Sequence, residues 1–250
     1  MSGHSHWSTI QRQKGTADAK RGQVFTKIAS LISVAAKVGG SGDPDTNPRL
    51  RMVLETARAA NMPKENIQRA IDRGLGKLPG QTLEEITYEG FGPAKVAFII
   101  EGITDNKMRV LSEVRNLFER SGGGLANQGS VSYMFERVGE IRVKTKGGLK
   151  DDEMLKLIDL GADDVEDFED EGVQKYLVYV DSPNLFTMGN NITQSGFEVE
   201  SREIVYKPNI VVEITDPEAA KKVVELAEKL EDNGDVQKVY MNADFKEGTL

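Results

Sequence analysis

The 250-residue chain contains no cysteine, only two histidines and a single tryptophan. Without cysteine there can be no disulfide, no thiolate nucleophile and no cysteine-ligated zinc or iron–sulfur site. Both histidines, His4 and His6, stand near the N-terminus, so histidine-based acid–base catalysis is excluded from the rest of the chain. The sequence does not predict an active site, whether one built from Ser, His and Asp, one that depends on a lysine, or one that uses a pair of carboxylates. We therefore expect neither an enzyme nor a cofactor.

Long apolar runs are also missing. The longest clean one is Val96–Ile100, far below the roughly 20 residues that a membrane-spanning helix needs. The first ten residues, MSGHSHWSTI, lack the charged start and apolar core of a secretory signal. They also lack the amphipathic, arginine-rich pattern of a mitochondrial presequence. We expect a cytoplasmic protein without membrane contact.

Charge is distributed unevenly along the chain. Residues 1–77 carry 13 Lys and Arg against 6 Asp and Glu, a net charge of +7. Because the whole chain carries −8, residues 78–250 carry −15. A basic segment beside an acidic one predicts that one end of the molecule binds a polyanion while the rest repels it. The alternative is a chance excess of Lys and Arg on helix surfaces.

Three amphipathic helices are predicted in residues 1–77, after a polar arm. The first covers about residues 18–37, where apolar side chains recur at helical spacing. The second begins after the N-cap Asn47, and the third begins at Pro63 and ends near Gly74. Short connections between three helices predict a small helical domain.

Beyond residue 78 the apolar period changes from 3.6 to 2, which indicates strands. Residues 84–120 predict strand, strand, helix, and residues 209–250 predict strand, helix, strand. We expect these two segments to share one sheet with helices on one face, so that residues 78–132 plus 205–250 form a discontinuous middle domain. Residues 133–204 show the order β-α-β-β-α-β, which predicts an inserted ferredoxin-like domain.

The predicted fold class is therefore α+β: an N-terminal three-helix domain followed by two α/β sandwich domains, of which the ferredoxin-like one is inserted in the middle one. In residues 209–250, both strands, Ile210–Ile214 and Val236–Met241, are expected to join the sheet of the middle domain.

Basic and aromatic side chains of the N-terminal segment are the candidate nucleic-acid contacts. They are His4, His6, Trp7, Arg12, Lys14, Lys20, Arg21, Lys27, Arg49, Arg51, Arg58, Arg69 and Arg73. Two imidazoles and an indole on an arm suit phosphate contact and base stacking. The alternatives are a tail that folds back to bury Trp7, and a metal site, for which the third and fourth ligands are missing nearby.

Four basic residues, Lys14, Lys20, Arg21 and Lys27, flank a turn and the start of the first helix, where backbone N–H groups also attract anions. Arg51 and Arg58 share a helix face, and so do Arg69 and Arg73. The alternative for Arg69 is an ion pair with Glu65, four residues earlier, of only a few tenths of a kcal/mol.

Two further segments have unusual composition. Residues 121–130 are rich in glycine but lack the Gly-Lys-Ser/Thr of a phosphate-binding loop, so they predict a helix C-cap and a connector. Residues 151–172 hold eleven acidic residues and one basic residue, Lys156. This stretch predicts a solvated helix and loop or an acidic contact face, and its spacing does not fit a calcium loop.

Several motifs resemble blocks of the YebC/PmpR family. GHSHW, DAKRGQVFTKI, GGSGDPDTNPRLR and MPKENIQRAIDRG resemble its N-terminal blocks, and YEGFGP, ITDNKMRVLSEVRNLF and SGGGLANQGSVSYMFER resemble its middle blocks. The resemblance implies three domains, a basic helical one and two α/β ones, in a cytoplasmic DNA-binding transcriptional regulator. Other members, including a mitochondrial branch, are translational activators that work at the ribosome. The chain departs from the family at His6, where Lys is common, and at residues 10–14, which are less basic.

Charge and resemblance together predict a non-enzymatic regulator of gene expression that binds nucleic acid and neither a membrane nor a small-molecule substrate. A transcription regulator would contact duplex DNA. A ribosome-associated translational activator would contact rRNA or tRNA, which Trp7 and scattered arginines suit. The sequence shows no clear helix-turn-helix with an exposed reading face, so both targets stay open.

Overall fold

A computed structural model of the chain describes residues 18–80, 82–170, 172–246 and 248–249, with side chains from residue 22 onward. It confirms the predicted fold class: helices come first, and sheet-containing units follow. Within the described residues, no helix is long and apolar enough to cross a membrane.

The helical module consists of α1 (Asp18–Gly39), α2 (Pro48–Ala59) and α3 (Lys64–Gly74). Its core is built from one apolar face of each helix and contains many small side chains, which allow the helices to approach closely. The buried members are Ile28, Ile32, Ala35, Ala36, Leu50, Leu54, Ala57, Met62, Ala70 and Ile71.

A buried asparagine fixes the turn between α1 and α2. The Asn47 side chain, 2% exposed, accepts a hydrogen bond from Leu50 N at 3.1 Å and so caps α2, as predicted. Its amide nitrogen donates to Ala35 O at 2.9 Å and to Ser41 O at 3.0 Å. A Cβ on Gly39 would lie 2.2 Å from this amide nitrogen, so only glycine fits there.

A four-stranded antiparallel sheet follows, with the order β3-β1-β2-β9. Its strands are β1 (Glu84–Phe91), β2 (Ala97–Thr104), β3 (Gly124–Ala126) and β9 (Val236–Met241). Two helices, α4 (Lys107–Arg120) and α7 (Pro217–Glu231), pack with this sheet around a common core. The sheet thus contains three strands that precede residues 135–208 in the sequence and one strand that follows them.

One predicted strand is placed elsewhere. Ile210–Ile214 was expected in this sheet, but the observed strand β8 (Val212–Ile214) pairs in parallel with β10 (Ala243–Phe245) in a separate two-stranded sheet. The reason is that β9 occupies the edge beside β2. The neighbouring β8 therefore pairs with the continuation of the chain beyond β9.

The second unit has the order β-α-β-β-α-β, and its four antiparallel strands lie in the order β5-β6-β4-β7, which is the ferredoxin-like arrangement. Its elements are β4 (Phe135–Lys144), α5 (Lys150–Asp159), β5 (Asp164–Asp170), β6 (Val173–Asp181), α6 (Leu185–Gln194) and β7 (Glu198–Pro208).

The two sheet units, together called the α/β body (residues 78–250), share an apolar interface. Ala97, Ile99 and Tyr240 of the first sheet pack in one cluster with Phe135 and with Tyr206 of β7. Phe135 pairs with Pro208, so the ferredoxin-like unit begins and ends at adjacent points. Division into domains at residues 78–132 plus 205–250 and 133–204 stays a prediction.

Candidate nucleic-acid interface

The described residues include only part of the predicted contact set. His4, His6, Trp7, Arg12 and Lys14 lie outside the described residues. Lys20 and Arg21 lie in the first turn of α1, and their side chains are outside the description as well. The remaining six divide into three whose side chains contact other parts of the chain and three that are exposed.

Lys27 joins the helical module to the body. Its ammonium group donates to the carbonyl of Glu231, the last residue of α7, at 2.7 Å. Burial lowers the pKa of Lys27, and the negative charges of Glu231 and Asp232 partly oppose this effect. A cation at a helix C-terminus is also favoured by the helix dipole. Lys27 therefore has a structural partner that competes with a nucleic-acid phosphate.

Arg49 and Arg51 also have partners within the chain. The Arg49 guanidinium forms an ion pair with Glu85 of β1. Arg51 donates to the carbonyls of Pro44 at 3.0 Å and Asp45 at 3.0 Å, which holds the α1–α2 loop against α2. The carboxylate of Glu85 thus compensates the charge of Arg49. The two partners of Arg51 are neutral backbone carbonyl groups, so they do not compensate its charge.

Arg58, Arg69 and Arg73 are exposed on α2 and α3. In the described parts of the chain, none of the three forms a hydrogen bond or an ion pair, and Arg69 does not pair with Glu65. Arg58 and Arg73 stand in the last turns of their helices. These guanidinium groups can therefore donate hydrogen bonds to phosphate oxygens.

A shallow pocket at the C-terminal ends of α1 and α3 contains another cation, Lys37. The pocket holds about 150 Å³ and is lined by Ser33, Lys37, Arg73, Gly74, Gly76, Leu78, Gly80, Thr82 and Leu83. Lys37 donates to Leu83 O at 3.1 Å. Two cations favour an anion here, but two helix C-termini oppose it. Sequence reasoning missed Lys37 as a candidate; its last-turn position was the available signal.

Some acidic residues of the stretch 151–172 are buried or paired with other side chains. Glu153 is 2% exposed and accepts hydrogen bonds from the hydroxyls of Thr145 at 2.7 Å and Tyr176 at 2.9 Å. Burial and the contact with Glu153 raise the pKa of Tyr176 to about 12. Asp167 pairs with Lys150 at 3.0 Å. Part of this stretch is therefore structural rather than a solvated surface.

The structure does not show a metal site in the described residues. Across these ranges, no group of three or more His, Cys, Asp or Glu side chains is arranged to hold a metal ion.

The chain matches two family models and many known proteins. The TACO1/YebC protein N-terminal domain matches residues 5–77, and the TACO1/YebC second and third domain matches residues 83–243. A probable transcriptional regulatory protein of Persephonella marina is 46% identical over 247 residues, covering 99% of this chain and 97% of the relative. One from Chloroflexus aurantiacus is 48% identical over 247 residues, covering 98% and 96%.

A solved structure is similar along nearly its whole length. The crystal structure of a conserved hypothetical protein from Aquifex aeolicus has a TM-score of 0.88 and 40% sequence identity, and the match covers 98% of this chain and 99% of the other. The relatives carry the name of a regulatory protein and not of an enzyme. As the motifs predicted, the chain belongs to the TACO1/YebC family.

Proposed function

We propose that the chain is a nucleic-acid-binding regulator of gene expression that contacts its target through the helical module. The observation that carries this proposal is the charge segregation, +7 in residues 1–77 against −15 in the remainder. Arg58, Arg69 and Arg73 supply exposed guanidinium groups on that module, and none of the three has a partner in the part of the chain that the structure describes. The name of the relatives supports the regulatory role.

The N-terminal arm belongs to the same proposed surface. His4, His6 and Trp7, with Arg12 and Lys14, precede α1 and offer cations, imidazoles and an indole. Lys20 and Arg21 continue this surface into the first turn of α1. In this proposal the arm adds stacking on unpaired bases, and the helices add contact with phosphates.

Duplex DNA is the first proposed target, in keeping with the regulatory name of the relatives. The connection from α2 to α3 has four residues, 60–63, which is the length typical of a helix-turn-helix. Gln68 and Arg69 are exposed on the second helix of that pair. In such motifs the second helix enters the major groove.

Structured RNA at the ribosome is the second proposed target. The acidic side chain of Glu65 is exposed beside Arg69 on α3, and Asp72 accepts hydrogen bonds from Gln68 at 3.2 Å and Lys77 at 3.3 Å. Carboxylates on the reading helix oppose deep entry into a DNA groove. They interfere less with contacts to the phosphates and 2′-hydroxyls of a folded RNA.

A direct binding comparison tests the proposed function. Fluorescence anisotropy would measure affinity of the full chain for a duplex DNA and for an RNA hairpin with the same stem sequence, at one salt concentration. We expect binding to at least one probe, with log K falling linearly against log salt. Absence of salt-dependent binding to both probes would contradict the proposal. Sedimentation of lysate with and without ribonuclease then separates ribosomal from DNA targets.

A further inference from the structure

Cations of the helical module also hold the module against the α/β body. The side chains of Lys27, Lys37, Arg49 and Met52 reach from the module to the body, and we name these four the module–body junction. Three of the four are cations, and each of these bonds to an oxygen atom of the body. The side chains that join the two regions therefore include part of the positive charge that a nucleic acid would meet.

The two lysines of the junction bond to neutral oxygen atoms. Lys27 donates to Glu231 O at 2.7 Å and is half-buried, and Lys37 donates to Leu83 O at 3.1 Å. A phosphate oxygen is charged, so it is a stronger acceptor for an ammonium group than a backbone carbonyl is. Because Lys27 is half-buried, a phosphate reaches it fully only when the module moves away from α7.

The arginine of the junction lies at the surface. The side chains of Arg49 and Glu85, which form an ion pair, are 42% and 49% exposed. Exposed ion pairs contribute little to stability and are screened by salt. A nucleic acid can therefore replace Glu85 by a phosphate without first having to enter a buried site.

Apolar packing across the junction is limited. Every member of the apolar core of the module, including the partly buried ones, lies within residues 25–75. Met52 packs against the core of the ferredoxin-like unit, whereas Val24 and Val38 of α1 stay 45% and 64% exposed. Contacts between domains that are not large and hydrophobic permit relative motion. The core of the module remains intact when such contacts open.

A flexible connection allows this motion. The module precedes the body in the chain, so residues 75–83 between α3 and β1 are its covalent link. The described part of this segment, residues 75–80 and 82–83, contains neither helix nor strand, and Gly76 has a φ of 71°. Hinges between rigid units are commonly a few loop residues of this kind.

We infer that the module–body junction is an autoinhibitory contact, which a nucleic acid opens by taking over Lys27 and Arg49; this inference rests on the proposed function. In the closed form the body engages these cations, and its charge of −15 repels a polyanion that approaches the module. In the open form both cations contact phosphates, and the repulsion falls off within a Debye length.

The same contacts set the size of the effect. Two additional phosphate contacts favour binding to the open form by about 30-fold at 0.15 M salt. A ligand shifts an equilibrium between two forms by its difference in affinity for them. Nucleic-acid binding should therefore move the population toward the open form.

Energy transfer between two dyes measures the opening on the full chain. Since the chain has no cysteine, Thr56→Cys on α2 and Asn116→Cys on α4, both at exposed positions, provide two unique labelling sites. Duplex DNA and an RNA hairpin of the same stem sequence serve as probes at 0.15 M salt. We expect the transfer efficiency to change in parallel with binding of a probe, which fluorescence anisotropy follows on unlabelled protein.

Substitution of Glu85 assigns the change to the junction. Glu85→Gln removes the anionic partner of Arg49 and leaves every cation in place. It should bind a probe about 1.5- to 5-fold more tightly than its control, the range that one exposed ion pair gives. Its transfer efficiency without a probe should lie closer to that of the bound form.

The matched control is Glu119→Gln. It removes the same charge at an exposed position in the last turn of α4. The adjacent Phe118 lies against Gly90, at the other end of β1 from Glu85. A purely structural ion pair predicts equal affinity in the two variants. Asp232→Asn, which reduces the electrostatic attraction on Lys27, tests the α7 contact in the same way.

The outcomes separate this inference from the proposed function. If neither probe binds, the proposed function and the inference both fail. If a probe binds while the transfer efficiency stays constant up to saturation, nucleic-acid binding stands and the autoinhibitory contact is overturned. Equal affinity of Glu85→Gln and Glu119→Gln overturns it as well.

Discussion

The helical module and the α/β body differ in charge and in the way each uses its polar residues. Residues 1–77, which contain the module, carry +7, and the module presents Arg58, Arg69 and Arg73 without partners among the described residues. The body carries −15, yet several of its carboxylates, such as Glu89 and Glu153, are buried and accept multiple hydrogen bonds. Net charge therefore supports the proposal that the N-terminal end binds a polyanion, but it does not show which individual charged side chains are available for binding.

The junction between the two regions shows this most clearly. Lys27 and Arg49 belong to the basic excess, but they contact Glu231 and Glu85 of the body. Met52 of α2 also packs against the ferredoxin-like core. Part of the positive charge of the module thus attaches it to the acidic body, and only the remainder is free to meet a ligand.

The largest expected effect comes from removing the ferredoxin-like unit. Replacing residues 133–204 by a Gly/Ser linker long enough to run beside the remaining end of β7 should leave a cooperatively folding protein, since Phe135 and Pro208, near the two cut points, are paired. Ile99 and Tyr240 lose part of their cover, so stability should fall by about 1.5–3 kcal/mol for each large side chain exposed. Urea unfolding followed by circular dichroism measures this. Loss of cooperative unfolding would contradict the predicted domain boundaries.

A smaller loss is expected from Glu153→Ala within the body. The substitution leaves four donors without an acceptor: the hydroxyls of Thr145 and Tyr176 and the N–H groups of Lys146 and Gly148. We expect destabilisation of about 3 kcal/mol at neutral pH, measured by urea unfolding.

The pH dependence of the Glu153 effect has a definite sign. Burial raises the pKa of Glu153, but its hydrogen bonds outweigh burial and leave the pKa below the ordinary value of 4.5. The charge therefore stabilises the fold above pH 4.5, and this contribution is lost as pH falls through the lowered pKa. The difference between wild type and Glu153→Ala should shrink in acid. A constant difference down to about pH 3 would show that the charge is unimportant.

In the helical module the corresponding substitution is Asn47→Ala. It removes the N-cap of α2 and the two hydrogen bonds to Ala35 O and Ser41 O, so we expect a loss of about 2 kcal/mol. Thermal unfolding provides the measurement, with Asn47→Asp as the control that keeps the capping oxygen. Equal stability of wild type and Asn47→Ala would show that this turn is held by packing alone.

The smallest expected effect on binding distinguishes an arginine without a partner among the described residues from one that forms an ion pair. Arg58→Gln should weaken nucleic-acid binding about fivefold at 0.15 M salt, the loss expected for one phosphate contact. Arg49→Gln should have less effect, because Arg49 must first leave Glu85. Anisotropy titrations of the two variants under identical conditions compare them. A larger loss for Arg49→Gln would reverse the assignment.

Local patterns predicted much of this fold. Helical spacing, the Asn47 cap and the β-α-β-β-α-β order are properties of neighbouring residues, and the structure bears out all three. Pairing of β8 with β10 could not be predicted, because it depends on β9 having taken the place beside β2. The burial of Glu89 and Glu153 and the partners of Lys27 and Arg49 are equally non-local. Sequence therefore located the basic region but not the free residues within it.

A matched pair of charge variants tests the central claim most directly. One variant carries Arg58→Gln, Arg69→Gln and Arg73→Gln in the module; the other carries three substitutions to Gln at exposed body cations, Arg115, Lys221 and Lys222. Both lose the same charge. The module variant should bind nucleic acid on the order of 100-fold more weakly at 0.15 M salt, with a slope of log K against log salt flatter by about 2.7. The body variant should stay within about twofold of wild type. Equal losses in both variants would contradict binding through the helical module.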